Sequence, residues 1–387
     1  PSFEFFYVNH SIQKTLHLQF KKSLNLKKYS MQLYNNLSSD ERAELIKKAG
    51  KDRLTISFYK YAKIGNPQIL RNHLYLFWDT IDVLGRIYIA HEGINAQLSL
   101  PAENFQAFKI YLDSISFLEN VRLNLAIEQD MFSFLKLKVK VRNKIVADGL
   151  EDETFDVTDI GTHLDANRFN ELVEDEDTVL VDMRNHYESE IGHFKNAVTP
   201  DVDTFRDSLD LIENQLKDHK ETKKLVMYCT GGIRCEKASA YYKYKGFKNV
   251  FQLEGGIINY ARQVRKSGLE NKFIGKNFVF DERRAEKISE DIIAQCHQCG
   301  APADGHVNCA NEACHLLFIQ CDACKAEMDN CCSSQCKEIH YLPYETQKAL
   351  RKGQGNSNDI FKKGRANHLP FKKDLRNILD PSNKDSV

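Results

Sequence analysis

One stretch of this 387-residue chain has the residue types and spacing for thiol chemistry: MYCTGGIRCEKASAYYKYKGF, Met227 to Phe247. "KKLVMYC" reads as a strand ending at Cys229, and "CEKASAYYKYKG" as a helix stopped by Gly246. A loop that joins a strand to a helix N-terminus turns its backbone N–H groups inward and adds the positive end of the helix dipole. A cysteine held in that ring has its thiolate stabilised and its pKa lowered. Gly231 and Gly232 let the backbone curl without a Cβ clash, and Arg234 can bond loop carbonyls or an incoming anion. Cys229 is therefore the candidate nucleophile, and Thr230, Gly231, Gly232, Ile233 and Arg234 the candidate anion-binding loop. Cys235, in the first helical turn, reads as an ordinary buried residue.

The other nine of the eleven cysteines fall between Cys296 and Cys336. They form pairs: Cys296 with Cys299, Cys309 with Cys314, Cys321 with Cys324, and Cys331 or Cys332 with Cys336, the other of those two being the spare; Cys332 is taken as the ligand. A CxxC turn supplies two of the four soft ligands of tetrahedral zinc, and Gly300 suits the tight turn after the first knuckle. Eight thiolates suit two closed, structural zinc ions. Consecutive and interleaved pairings both remain open, and His297, His306 or His315 could replace a thiolate.

These groups must be held by more than one core, and the length allows two or three. Residues 1–50 form an N-terminal extension. "SSDERAELIKKAG" reads there as a helix capped by Ser38 or Ser39 and Gly50, while the first thirty residues lack pattern and leave Met31 open as the functional start. Residues 51–148 alternate as β-α-β-β-α-β, a ferredoxin-like (acylphosphatase-like) split βαβ sandwich, with helices opened by Pro67 and Pro101. Residues 149–174 form a connector. Residues 175–270 alternate short apolar strands with helices, an α/β domain with a parallel sheet. Residues 271–345 carry the cysteine cluster. From Thr346 onward ten Lys/Arg stand against four Asp, which suits a basic, disordered tail over 346–387. The whole-chain charge is zero and excludes nothing. No apolar run is long enough to span a membrane, and no secretory signal pattern opens the chain, so the reducing cytoplasm is the expected compartment.

The C-x-x-x-x-R loop after a strand, with VDMRNHYESEIGHFKNA upstream and LEGGIINYA downstream, resembles a rhodanese domain. Asp182, Arg184, Glu188, Gly192, His193 and Ala197 stand at the spacing of that family's opening signature. In that family the loop cysteine carries a persulfide, a role that maps onto Cys229. Four residues separate Cys229 from Arg234, where related phosphatases have five, so the ring is sized for sulfur. RIYIAHEGINAQLS, KVRNKIVADG, GKNFVFDERR, CHQCGAP and CHLLFIQC, in this order around the loop, extend the resemblance over about residues 53–345 to the bacterial tRNA uridine hydroxylases. The resemblance implies an oxidoreductase that modifies tRNA, using molecular oxygen to form 5-hydroxyuridine at the wobble position, with Cys229 essential.

The residues alone do not deliver hydroxylation, because a thiol does not activate oxygen by itself. There is no Gly-rich dinucleotide fingerprint, and an iron site from His91, Glu92, His186 and His193 cannot be read from spacing. Two rivals follow: a sulfurtransferase that passes persulfide sulfur to an acceptor, and an RNA-binding module with a relic loop. For tRNA contacts the candidates are Lys276, Phe278, Phe280, Arg283 and Arg284, then Tyr241, Tyr242 and Tyr244, and in the tail Lys362, Lys363, Arg365, Lys372 and Lys373.

Overall fold

A capping box opens the described part of the chain, which in this computed structural model comprises residues 37–150, 154–352 and 363–372. Helix α1 (Ser39–Ala49) starts at Ser38, whose hydroxyl accepts the Glu41 N–H while the Glu41 carboxylate accepts the Ser38 N–H. It ends on Gly50 at φ 59° and buries Ile46 with Leu84 and Phe134. Met31 lies outside the described residues.

The next elements are β1 (Arg53–Tyr61), α2 (Pro67–Thr80), β2 (Leu84–Ala90), β3 (Gly93–Pro101), α3 (Phe105–Asp113), β4 (Asn124–Leu125) and β5 (Leu137–Val141). Their sheet has the order β4-β1-β3-β2-β5. The first four strands give the expected sandwich, and β5 adds a parallel edge beside β2. The strand expected over LNLAIEQD shrinks to Asn124–Leu125. Its backbone leaves the ladder because the Ile127 N–H donates instead to the Glu286 carboxylate, at 2.9 Å. The helix expected from Pro101 begins its α-helical part at Phe105.

The α/β part contains β6 (Thr162–Leu164), α4 (Ala166–Leu172), β7 (Thr178–Asp182), α5 (His186–Ser189), β8 (Gly192–Phe194), α6 (Phe205–Gln215), β9 (Lys224–Tyr228), α7 (Ile233–Tyr244), β10 (Asn249–Leu253) and α8 (Gly256–Ser267). A four-stranded parallel sheet runs β6-β10-β9-β7. Alternate residues of β9 feed two cores: Leu225 and Met227 pack with Leu209, Ile212 and Tyr242, whereas Val226 and Tyr228 pack with Phe169 and Tyr260. Both faces of the sheet are covered, so β9 is buried from Leu225 to Tyr228, and its carboxyl end is where a ligand can approach. Cys229 stands at that end.

Then follow β11 (Phe273–Phe278) and β12 (Ala285–Lys287), which join β8 in an antiparallel sheet, and the hairpin β13 (His306–Asn308) and β14 (Leu317–Ile319). Helices α9 (Asp322–Met328), α10 (Ser334–His340) and α11 (Tyr344–Arg351) close the described order. The stretch expected as a disordered tail therefore begins as helix. Within it Ala366 and Leu369 are buried against Cys309, Leu316 and Phe318, because the cysteine-rich turns alone leave that core uncovered. Residues 353–362 and 373–387 lie outside the described residues.

The chain divides into two compact units that do not follow linear order. Among the described residues one holds 37–55, Ala62–Val121 and Met131–Ile145; the other holds Ile56–Tyr61, Arg122–Asp130 and those from Val146 onward. The outer end of β1 and the β4 stretch thus belong to the same unit as Cys229.

The N-terminus of α8 fixes the active loop from behind. Gly256 has φ 65°, and a Cβ there would stand 2.4 Å from the Cys229 carbonyl oxygen. Gly256→Ala is expected to cost about 1–3 kcal/mol in chemical denaturation and to raise the pKa of Cys229, because the loop backbone must move.

Candidate functional site

Every carbonyl of the loop from Cys229 to Ile233 has a donor. Ile257 and Ile258, in the first turn of α8, donate N–H to the carbonyls of Cys229 (3.0 Å) and Thr230 (3.2 Å). Asn124 Nδ2 donates to Gly231 O at 3.3 Å, Glu236 N–H to Gly232 O at 3.0 Å, and the Tyr61 hydroxyl to Ile233 O at 3.3 Å. With the carbonyls held outward, the Gly232 and Cys235 amides bond the sulfur. The Gly232 N–H donates to Cys229 Sγ at 3.1 Å, and Gly232 reaches that orientation at φ 103°.

Cys229 is 1% exposed. Burial alone pushes its thiol up; the Cys235 thiol, the Arg234 guanidinium and the N–H groups of Cys235 and Gly232 outweigh that and bring it down to about 5. Cys235, expected to be an ordinary buried residue, is thus a hydrogen-bonding partner of Cys229. Burial and the neighbouring Cys229 keep its own thiol protonated, so it serves as the donor.

Arg234 does not bond the loop carbonyls. Its guanidinium makes a bidentate pair with Glu188, at 2.7 and 2.8 Å, with both side chains buried. Thus Glu188 meets the active loop. Asp182 and Arg184 instead pair with each other at 2.6 Å, and Arg184 also donates to Gly192 O at 2.6 Å, which braces the end of β7 against β8. His193 lies on β8 with Nδ1 3.0 Å from Phe194 O.

The remaining candidates separate. His91 Nδ1 sits 2.9 Å from Ile64 O and the Glu92 carboxylate accepts the Ile145 N–H at 2.7 Å, so both brace the turn of the β2–β3 hairpin. Lys276 pairs with Asp304, and Arg283 with Asp281 and Glu286. Tyr241 donates to Glu213 and Tyr242 to Leu209 O, while Tyr244 is exposed. Lys363 stands 5.5 Å above the Tyr187 ring, and Lys362 and Lys373 lie outside the described residues.

The cysteine cluster is interleaved. Cys296, Cys299, Cys321 and Cys324 form one group and Cys309, Cys314, Cys332 and Cys336 another, each with its Sγ atoms within 4.8 Å. Among the described residues these are the groups able to hold a metal ion, and none is built from His91, Glu92, His186 or His193. Cys299–Cys321 and Cys314–Cys332 stand 3.6 Å apart and Cys332–Cys336 3.7 Å. Zn–S bonds of about 2.3 Å give tetrahedral S···S edges of about 3.8 Å, so both tetrads fit that ion. Burial raises the Cys296 thiol, but the N–H groups of Cys321, Cys299 and Gln298 outweigh it and hold it at about 7. Cys331 is buried outside both groups.

Arg234→Met removes the cation beside Cys229 and strands the Glu188 carboxylate. The Cys229 titration, read as thiolate absorbance relative to Cys229→Ser, is expected to move upward from about 5. Stability is expected to fall by about 3–5 kcal/mol.

Comparisons with known proteins match the parts of the chain in turn. The family models "UPF0176 acylphosphatase like domain", "Rhodanese-like domain" and "Rhodanase C-terminal" match residues 53–145, 165–263 and 274–337. A tRNA uridine(34) hydroxylase of Photorhabdus laumondii is 52% identical over 334 residues, 86% of this chain and 95% of that protein. The protein of the same name from Pectobacterium atrosepticum is 53% identical, over 86% of this chain and 94% of its own length. That of Leptospira interrogans is 51% identical, over 86% and 90%. With half of its residues shared over nearly the full length of these proteins, the chain belongs to the tRNA uridine(34) hydroxylase family.

Proposed function

We propose that this chain is an oxidoreductase that hydroxylates carbon 5 of the wobble uridine of tRNA in the cytoplasm, with molecular oxygen as co-substrate. The similarity over nearly the whole length of proteins named for that position carries the reading. Cys229 is the essential thiol or persulfide. The Gly232 and Cys235 amides and Arg234 stabilise its anion, and Glu188 fixes Arg234. Asp182, Arg184 and His193 support the frame. No helix among the described residues is long and apolar enough to cross a membrane.

Two structural zinc ions, one per tetrad, hold the Cys-rich segment. They bind Cys296, Cys299, Cys321 and Cys324 in one site and Cys309, Cys314, Cys332 and Cys336 in the other. Four thiolates close each tetrahedron and leave no position for substrate, so the zinc supplies folding energy and no chemistry at the base.

The rhodanese-type loop favours one rival, transfer of persulfide sulfur to the base, and the product separates the two. In cells lacking this protein, tRNA nucleosides analysed by mass spectrometry are expected to lose 5-hydroxyuridine derivatives. Wild type restores them and Cys229→Ser does not. Unchanged hydroxylation with loss of a thiolated nucleoside would overturn the hydroxylase reading in favour of sulfur transfer. Elemental analysis is expected to find two zinc ions per chain, both kept in Cys331→Ala and one lost in Cys332→Ala.

A further inference from the structure

The first turn of α7 carries a carboxylate that the thiol chemistry above leaves unused. Glu236 Oε2 gathers three partners: the Tyr59 hydroxyl at 3.2 Å, His163 Nε2 at 3.0 Å and Gln252 Nε2 at 3.3 Å. Tyr59 comes from β1, His163 from β6 and Gln252 from β10, all within the same compact unit.

The two ends of this cluster face different surroundings. The His163 side chain is 38% exposed and the Glu236 side chain 18%, so the histidine end is open to water. At the other end the Tyr59 hydroxyl lies over the active loop: a Cβ at Gly232 would stand 2.9 Å from it. Gly232 is the residue whose N–H holds the Cys229 sulfur. Burial, then the Glu236 carboxylate and the Cys229 thiolate nearby, keep the phenol protonated. Phenol, carboxylate and imidazole thus run in two hydrogen-bonding steps from a hydroxyl packed on Gly232 to solvent.

The ring itself offers no exposed proton carrier among the described residues. Cys229 and the Cys235 thiol that donates to it are both buried, and the other adjoining groups are backbone amides and an Arg234–Glu188 pair whose arginine stays charged. Yet oxygen insertion at a base carbon consumes and releases protons, and so does any turnover of the thiol.

We propose that Tyr59, Glu236 and His163 form a proton relay between solvent and the buried Cys229 site. Inward, Tyr59 gives its hydroxyl proton to the anion at the site, Glu236 passes to Tyr59 a proton received from His163, and His163 takes one from water. The reverse order carries a proton out. His163 also faces the Arg122–Glu254 pair, and its hydrogen bond to Glu236 raises its pKa, against burial. Lys237, next to Glu236 in the chain, is paired with Asp148. These three are positioning residues, since none is shown to touch substrate.

The relay rests on Cys229 being the working thiol, not on which atom the enzyme transfers, so the test does not use turnover. The purified full-length protein is jumped from neutral pH to about 5, the value to which the Cys229 thiol is lowered. Protonation of Cys229 is followed as loss of thiolate absorbance relative to Cys229→Ser. His163→Gln, Glu236→Gln and Tyr59→Phe are expected to slow the relaxation by about tenfold or more, approaching the hundredfold typical of a lost proton-transfer group, while the equilibrium midpoint of His163→Gln stays in place. A merely structural cluster would move the midpoint and leave the rate. Unchanged relaxation in both His163→Gln and Glu236→Gln would overturn the relay. His163, the most exposed member, keeps the test available if Tyr59→Phe fails to fold. Failure of the hydroxylase reading would show separately, as wild type that restores no 5-hydroxyuridine.

Discussion

Two charges share the space behind the active loop, the Arg234 guanidinium and the Glu188 carboxylate, and both are withdrawn from water. Taking such ions out of solvent costs several kcal/mol each, and only good geometry offsets it. The geometry here is bidentate, and Glu188 accepts a further bond, from the Asn185 N–H at 3.1 Å. The pairing has a chemical consequence. An unpaired arginine at this position would close on the thiolate and occupy it. Held by Glu188, it lends Cys229 its field while the sulfur is bound by the Gly232 amide. The rest of the site depends on that division of labour, because the amide ring works only if the sulfur stays in its centre.

The ring in turn depends on segments far from it in the chain. Its carbonyls must be bound from outside for its amides to face inward, and β9 and α7 cannot do this alone. The first turn of α8 binds two carbonyls, while Asn124 and Tyr61 bind two more. The Cys-rich segment reaches the same site from the other side. Ile319 N–H donates to His297 Nδ1, which leaves Nε2 to donate to Glu190 at 2.9 Å. His297 stands between Cys296 and Cys299, and Glu190 is two residues from Glu188. A turn of the first cysteine tetrad is thereby tied to the short helix that positions the counter-ion of Arg234.

What could be read from the sequence follows from how local each signal is. The strand-glycine-helix pattern around Cys229 is contained in about twenty residues, so both the loop and its thiol were legible. So was the βαββαβ order, whose helices announce themselves at Asn66–Pro67 and whose hairpin turns at His91–Glu92. The short β4 was not, because its end is decided by Glu286, 159 residues away. The same holds for Tyr59, whose bond to Glu236 spans 177 residues, and for His163. Each is an ordinary polar residue until the fold brings it to α7. Glu188 was marked by its motif, but nothing local showed that it binds Arg234 as well as capping its own helix. The cysteine pairs were legible and their interleaving was not, since CxxC spacing fits both arrangements. The β13–β14 hairpin decides it by bringing the first and third pairs together and the second with the fourth.

The ionised sulfur also supports the ring that ionises it. Cys229 loses its proton at about 5 in the folded chain, against 9.0 for an ordinary thiol. Between those values the unfolded chain binds a proton that the folded chain does not. The contribution to stability is complete above the unfolded value and is lost as pH falls through about 5; near neutrality it amounts to about 3 kcal/mol. Any chemistry that leaves the sulfur uncharged removes that contribution. A disulfide or a thioether at Cys229 leaves buried amides and a guanidinium facing a neutral atom, whereas a persulfide keeps the charge. The loop thus favours sulfur species that remain anionic, and this preference comes from the same amides and the same Arg234–Glu188 pair that lower the thiol's pKa.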